Sequence, residues 1–167
     1  MIKIKKELEL LRNEINSIDD AILELFEQRA KAVHHVGELK KNSPVAIYVP
    51  ERERAIFERL TSKSPLPKEI IISLYRELIS SCRSLEGILT VALLQDYYSE
   101  AALRQILGTH VESVAFKNLS ELERELSTFE YILLQANEEN LKFLSDKNLS
   151  VLNRTTFKGE EFLLIHI

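Results

Sequence analysis

LELLRNEINSIDDAILELFEQRAKAVHHVGELKK (residues 8–41) is the stretch that decides the fold. Leu8, Leu11, Ile15, Ile18, Ile22 and Leu25 alternate three and four residues apart, the spacing of one apolar face on an α-helix. The same rhythm runs through Arg29 to Ala32, Val36 and Leu39. A guanidinium keeps its charge, and burying one without a partner is strongly unfavourable. An anion must therefore meet Arg29, either an acidic side chain of the protein or a bound ligand. The spacing predicts a helix from about residue 5 to 42, stopped by Asn42, Ser43 and Pro44. Such a rod is roughly 57 Å long. The core that residues 1–86 can build is too small to cover it, so its apolar stripe is expected to pack on a partner chain as well as on later helices.

Composition narrows the setting. The 167 residues suffice for one ordinary domain or two small ones, and 45% hydrophobic content can supply a core. One cysteine, Cys82, excludes an intrachain disulfide and fits a reducing compartment. The charged, amphipathic start MIKIKKELELLRNEI is unlike a signal peptide, and no run approaches the ~20 apolar residues of a membrane span. A cytoplasmic protein is expected, with no membrane partner. Residues 1–86 hold 15 Lys+Arg against 14 Asp+Glu, whereas residues 87–167 hold 7 against 12. Neither half has the basic excess of a nucleic-acid binder, but the shift suggests two modules.

The remaining pattern fits that division into a helical part (1–87) and a small α/β part (88–167). Helices are expected from Pro50 to about Ser62 and, after Pro65 and Pro67, to about Glu86, with Ile71, Leu74, Leu78, Cys82 and Leu85 on one face. Beyond Gly87, ILTVALL (88–94) reads as a buried strand, SEAALRQILG (99–108) as a helix and VESVAF (111–116) as a strand. A helix opened by Asn118 with Glu121 three residues on, a strand at 130–135, a helix from Asn137 to about Ser145 and strands near 149–152 and 161–166 complete the alternation. Tyr97 and Tyr98 read as core and rim of this second part.

The basic residues of the first helix have a geometry. Arg29 and Lys40 lie eleven residues apart, close to three turns, so they share a face about 16 Å apart along the axis. They could grip the two ends of a small molecule. Arg12 lies seventeen residues before Arg29, roughly 25 Å away and about 100° around the helix. It could reach the same ligand only from a second chain, so a dimer with shared sites is expected. PERE (50–53) places Arg52 and Glu53 at a helix start, where backbone N–H groups favour anions. Cys82 and Glu86 are four residues apart on one helical face. His34 and His35 diverge by about 100°, and no metal site is expected.

Residues 8–86 resemble the all-helical (AroQ-type) chorismate mutases, above all the mutase domain fused to prephenate dehydratase. The matching stretches are residues 8–41, VPERERAIFERL (49–60) and LYRELISSCRSLE (74–86). The resemblance implies a three-helix chain intertwined into a homodimer and a cofactor-free rearrangement of chorismate to prephenate. It implies that Arg12 from the partner chain and Arg29 clamp the substrate's carboxylates, and that Lys40 and Glu86 meet the ether oxygen. Glu53 would accept the ring hydroxyl, with Arg52 in support and Cys82 lining the substrate. Three positions depart from the common pattern: Glu86 stands where Gln is frequent, Val49 where Asp is, and Cys82 where Ser is. A carboxylate facing a forming oxyanion would work only when protonated.

Residues from about 90 to 140 faintly resemble the opening lobe of a prephenate dehydratase domain. LQDYY replaces that family's glycine-rich loop, and NRTTF (153–157) has Thr156 where its arginine belongs. The resemblance implies a non-catalytic remnant, without dehydratase activity, that stabilises the dimer, binds a partner enzyme or senses an effector. Two other functions compete with the mutase reading: isochorismate pyruvate-lyase on the same scaffold, and a non-catalytic regulatory module.

Overall fold

The computed structural model describes residues 2–40 and 46–167, and the chain divides into two compact units, Met1–Pro44 and Val45–Ile167. The first holds one unbroken helix, α1 (Ile2–Lys40). It begins three residues before the expected start, and the expected stop at Asn42, Ser43 and Pro44 lies outside the described residues. Lys40 in its last turn opposes the negative end of the helix dipole. The apolar stripe from Leu8 to Leu25 is open, each member being between 48% and 63% exposed.

In the second unit, α2 (Pro50–Thr61) starts at a proline that needs no N–H partner, after an extended Val49. Pro67 precedes α3 (Lys68–Ser84), which packs on α2. The third helix stops two residues short of its expected end. Leu85 N–H then bonds Cys82 O, and Glu86 N–H bonds Arg83 O, so Glu86 sits in a turn rather than on the helix. Leu74 and Leu85, expected on the packed face, are exposed.

The rest is an α/β layer: β1 (Thr90–Leu94), α4 (Ser99–Leu107), β2 (Glu112–Phe116), α5 (Leu119–Glu125) with a short 3-10 turn, β3 (Tyr131–Gln135), α6 (Glu138–Asp146), β4 (Val151–Phe157) and β5 (Glu160–His166). The sheet order is β2-β1-β3-β5-β4, with β1 parallel to β2 and β3, and β5 antiparallel to β3 and β4. Alternate residues of the inner strands feed two cores. Val91, Leu93, Leu133, Phe162 and Leu164 meet α4 and Tyr48 on one face. Ala92, Ile132, Leu134, Leu163 and Ile165 meet α5 and α6 on the other. Asn118 and Asn137 cap α5 and α6 by accepting from Glu121 and Asn140 N–H, the first as the capping-box reading expects. The Lys158–Gly159 turn joins β4 to β5, both residues having positive φ, as a tight hairpin requires. Tyr98 is half-buried against Phe157, but Tyr97 is 91% exposed and belongs to no core, because it lies in the open segment after β1. Among the described residues no helix is long and apolar enough to cross a membrane.

The break in composition at Gly87 lies inside the second unit, because α3 is tied to the segment after α4. Ser80 Oγ accepts from His110 N–H at 3.0 Å, and Glu77 Oε2 accepts from the Thr109 backbone N–H at 3.1 Å and from its hydroxyl at 2.5 Å. Gly108 permits this approach. Its φ is +77°, and a β-carbon there would stand 2.5 Å from Ser80 Cβ. Gly108→Ala should therefore destabilise the second unit by about 1–3 kcal/mol, read as a lower urea midpoint; an unchanged midpoint would mean α3 yields without cost.

Candidate active site

The residues singled out by sequence fall in both units. On α1, Arg12 is exposed, while Arg29 and Lys40 are half-buried. Arg29 Nη1 is buried and meets no hydrogen-bond partner among the described residues. In the second unit Arg52 faces solvent, whereas Glu53, the next residue around the helix, is 8% exposed. Cys82 is fully buried and Glu86 half-buried. No group of three or more His, Cys, Asp or Glu among the described residues could hold a metal.

What the second unit brings together is Glu53 and Arg83. Arg83 Nη1 donates to Glu53 Oε1 at 2.6 Å, its Nη2 donates to Leu107 O at 2.5 Å, and its guanidinium lies 5.4 Å from the Tyr48 ring centre. Both charges are almost wholly buried, so the pair exists through contact rather than hydration. Asn153 of β4 donates to the Tyr48 hydroxyl at 2.6 Å. Burial first, then the Glu53 charge, push the Tyr48 phenol up to about 12, against the opposing pull of Asn153 and Arg83.

Sequence reading missed Arg83, Tyr48 and Asn153. For Arg83 a signal existed. Ile71, Tyr75, Ile79 and Arg83 are spaced by four, so this arginine too occupies an apolar seam. Like Arg29, it needs an anion in that seam, and here the anion is the internal Glu53. Tyr48 and Asn153 are 105 residues apart, and nothing local couples them.

The helical first half of the chain agrees with the comparisons. Residues 11–87 match the family model for chorismate mutase type II, and this segment is a chorismate mutase type II domain. The chain is 43% identical over 95 residues to a bifunctional chorismate mutase/prephenate dehydratase of Aquifex aeolicus, a match covering 53% of this chain and 26% of that protein. The corresponding protein of Neisseria gonorrhoeae is 35% identical over 162 residues, covering 93% of this chain and 44% of its own length. The T-protein of Enterobacter agglomerans is 46% identical over 50 residues, 30% of this chain and 13% of that protein. The chain thus spans less than half the length of the relatives it matches. The Neisseria match runs through most of the α/β part as well as the helices.

Two results should follow from the buried pair. Arg83→Leu strands the Glu53 carboxylate and should cost about 3–5 kcal/mol in chemical denaturation, more than the double variant with Glu53→Leu. A neutral Tyr48 is the folded form, so its contribution is complete below pH ~10 and is lost as pH rises through about 12. Tyr48→Phe should remove about 2–3 kcal/mol of that alkaline loss. Identical alkaline unfolding curves for wild type and variant would assign the titration elsewhere.

Proposed function

We propose that this protein is a chorismate mutase acting as an intertwined homodimer, rearranging chorismate to prephenate in aromatic amino-acid biosynthesis. The observation that carries the reading is α1: a single 39-residue helix with an open apolar stripe and a half-buried arginine, inside a chorismate mutase type II domain. A second copy of the same stripe would cover the first. It would also bring Arg12 of the other chain to the site holding Arg29 and Lys40. Functional modules would then be residues 1–87 and 88–167.

The reaction breaks a C–O bond within one molecule, and no nucleophile is needed. Arg12 of the partner and Arg29 would hold the two carboxylates by paired N–H donors. That clamp keeps the enolpyruvyl side chain over the ring, replacing a rare encounter by a fixed geometry. Lys40 would donate to the ether oxygen as it gains negative charge, and protonated Glu86 would donate to the same atom. Such donors accelerate the step because they are aimed before the charge develops. Glu53, an anionic acceptor positioned by Arg83, would take the ring hydroxyl, with Arg52 and Cys82 beside it. No cofactor enters this scheme.

The second module is proposed to lack dehydratase activity, since LQDYY replaces a glycine-rich loop and Thr156 an arginine. It would stabilise the dimer or receive a partner enzyme or effector. A cytoplasmic location fits the lone, buried Cys82.

Chorismate disappearance tests the reading. Arg29→Ala should lose about a hundredfold or more in kcat/KM with its fold intact, and equal rates would refute catalysis at this site. Glu86→Gln keeps a donor at this position and should retain activity, whereas Glu86→Ala should lose about tenfold or more in kcat/KM. Equal rates in Glu86→Ala and wild type would remove Glu86 from this role. Light scattering should give twice the chain mass; a monomer at assay concentration would end the shared-site scheme.

A further inference from the structure

A second candidate site lies wholly within the second unit, in a cleft of about 180 Å³ between α2, α3, α4 and β4. Its walls carry three guanidiniums, those of Arg54, Arg76 and Arg154. Their charges are unequally met. Arg154 pairs with Glu161 at 3.2 Å. Arg54 and Arg76 meet no carboxylate at ion-pair distance among the described residues, and the buried Arg76 Nε–H has no hydrogen-bond partner. The carboxylate in the wall, Glu53, is engaged by Arg83.

A buried N–H of a permanent cation without an acceptor is costly. An anion bound in the cleft would supply the missing acceptor. The neighbouring surfaces define the rest of that anion. Arg76 lies over the Phe57 ring at 5.7 Å, and Ile106 and Pro50 also line the cleft, so one side is apolar. Also in the lining, the Gln105 amide donates to Thr155 Oγ1 at 2.7 Å and Thr156 O at 3.2 Å, which fixes its direction. Planar guanidiniums match a carboxylate's two oxygens, and an apolar wall suits a flat hydrocarbon body behind it.

We propose that this cleft binds a small carboxylate with an apolar, planar body, held by Arg76 and Arg54 against Phe57. The site takes a ligand of the effector or metabolite size class and uses none of the α1 cations, although Glu53 of the mutase reading lies in its wall. Residues of α2 and α3 and of the α/β part line it together, which gives the second module a ligand-dependent tie to these two helices.

Benzoate and its uncharged counterpart benzamide are the probes, titrated into the full chain and followed by two-dimensional amide NMR. Benzoate should bind saturably and shift the side-chain amide signals of Gln105 and Asn153. Benzamide should leave them in place. Arg76→Gln and the exposed Arg54→Gln should each weaken benzoate about tenfold, and Lys142→Gln on α6 should change nothing. Arg54 lies at the rim, so its variant reports binding even if Arg76→Gln fails to fold. The proposal is overturned by unsaturable or absent shifts with benzoate, by equal binding of benzamide, or by unchanged affinity in Arg54→Gln together with any folded Arg76→Gln. Loss of mutase activity in the Arg29 variant has no bearing on these signals, so the two readings fail separately.

Discussion

The buried guanidinium of Arg83 is the constraint around which the second unit is built. It reaches from α3 to Glu53 on α2 and to the last carbonyl of α4, with the Tyr48 ring beneath it. A charge in so dry a place holds only when every element delivering a partner is in position. Its register is therefore unforgiving, which apolar packing alone rarely is. Gly108 belongs to the same device. Because it carries no β-carbon, α3 can come close enough for Ser80 and Glu77 to bond the chain immediately after α4. α3, which the family comparison assigns to the mutase domain, is thus fastened to the α/β layer by polar contacts.

The first unit presents the opposite problem. α1 has no glycine before Gly37, no proline, and a regular apolar stripe, so its helicity is locally determined. What it lacks within one unit is cover for that stripe. Isolated exposed apolar side chains are ordinary on a protein surface, but six leucines and isoleucines in a continuous line are not. In the proposed dimer a second chain would supply both an apolar cover for this stripe and a second cation for a doubly negative ligand.

Much of this was legible in the sequence. Among the described residues the expected helices and strands appear in the expected order, most with ends differing by a few residues, but β4 runs over Val151–Phe157 rather than 149–152. The inner strands were readable because both their faces are buried, giving continuous apolar runs. The edge strand β2 was readable for a different reason, its β-branched and aromatic residues between turn signals, since its first four residues are exposed. What escaped were contacts set by tertiary closure. The end of α3 stops early because the backbone turns at Leu85 to enter β1, and no breaker residue announces this before Gly87. Tyr48 lies in a short linking segment with no periodicity, yet it fills the α4-side core because β4 brings Asn153 to its hydroxyl.

The same rule, that a charge in an apolar seam must be met by an anion, has two solutions in this chain. At Arg83 the partners are internal: Nη1 and Nη2 donate to Glu53 and to a carbonyl, although the buried Nε meets no partner among the described residues. At Arg29 the corresponding Nη1 is buried with no such partner among the described residues. A sequence alone cannot separate the two cases, because both arginines sit at equivalent helical spacing. Geometry separates them by what faces each guanidinium. An arginine whose two Nη groups are held by internal oxygens fixes a fold, and one with an unmet Nη keeps a donor for a ligand. On the proposed reading Arg29 would serve the substrate, and Glu53, aimed by Arg83, would accept its ring hydroxyl.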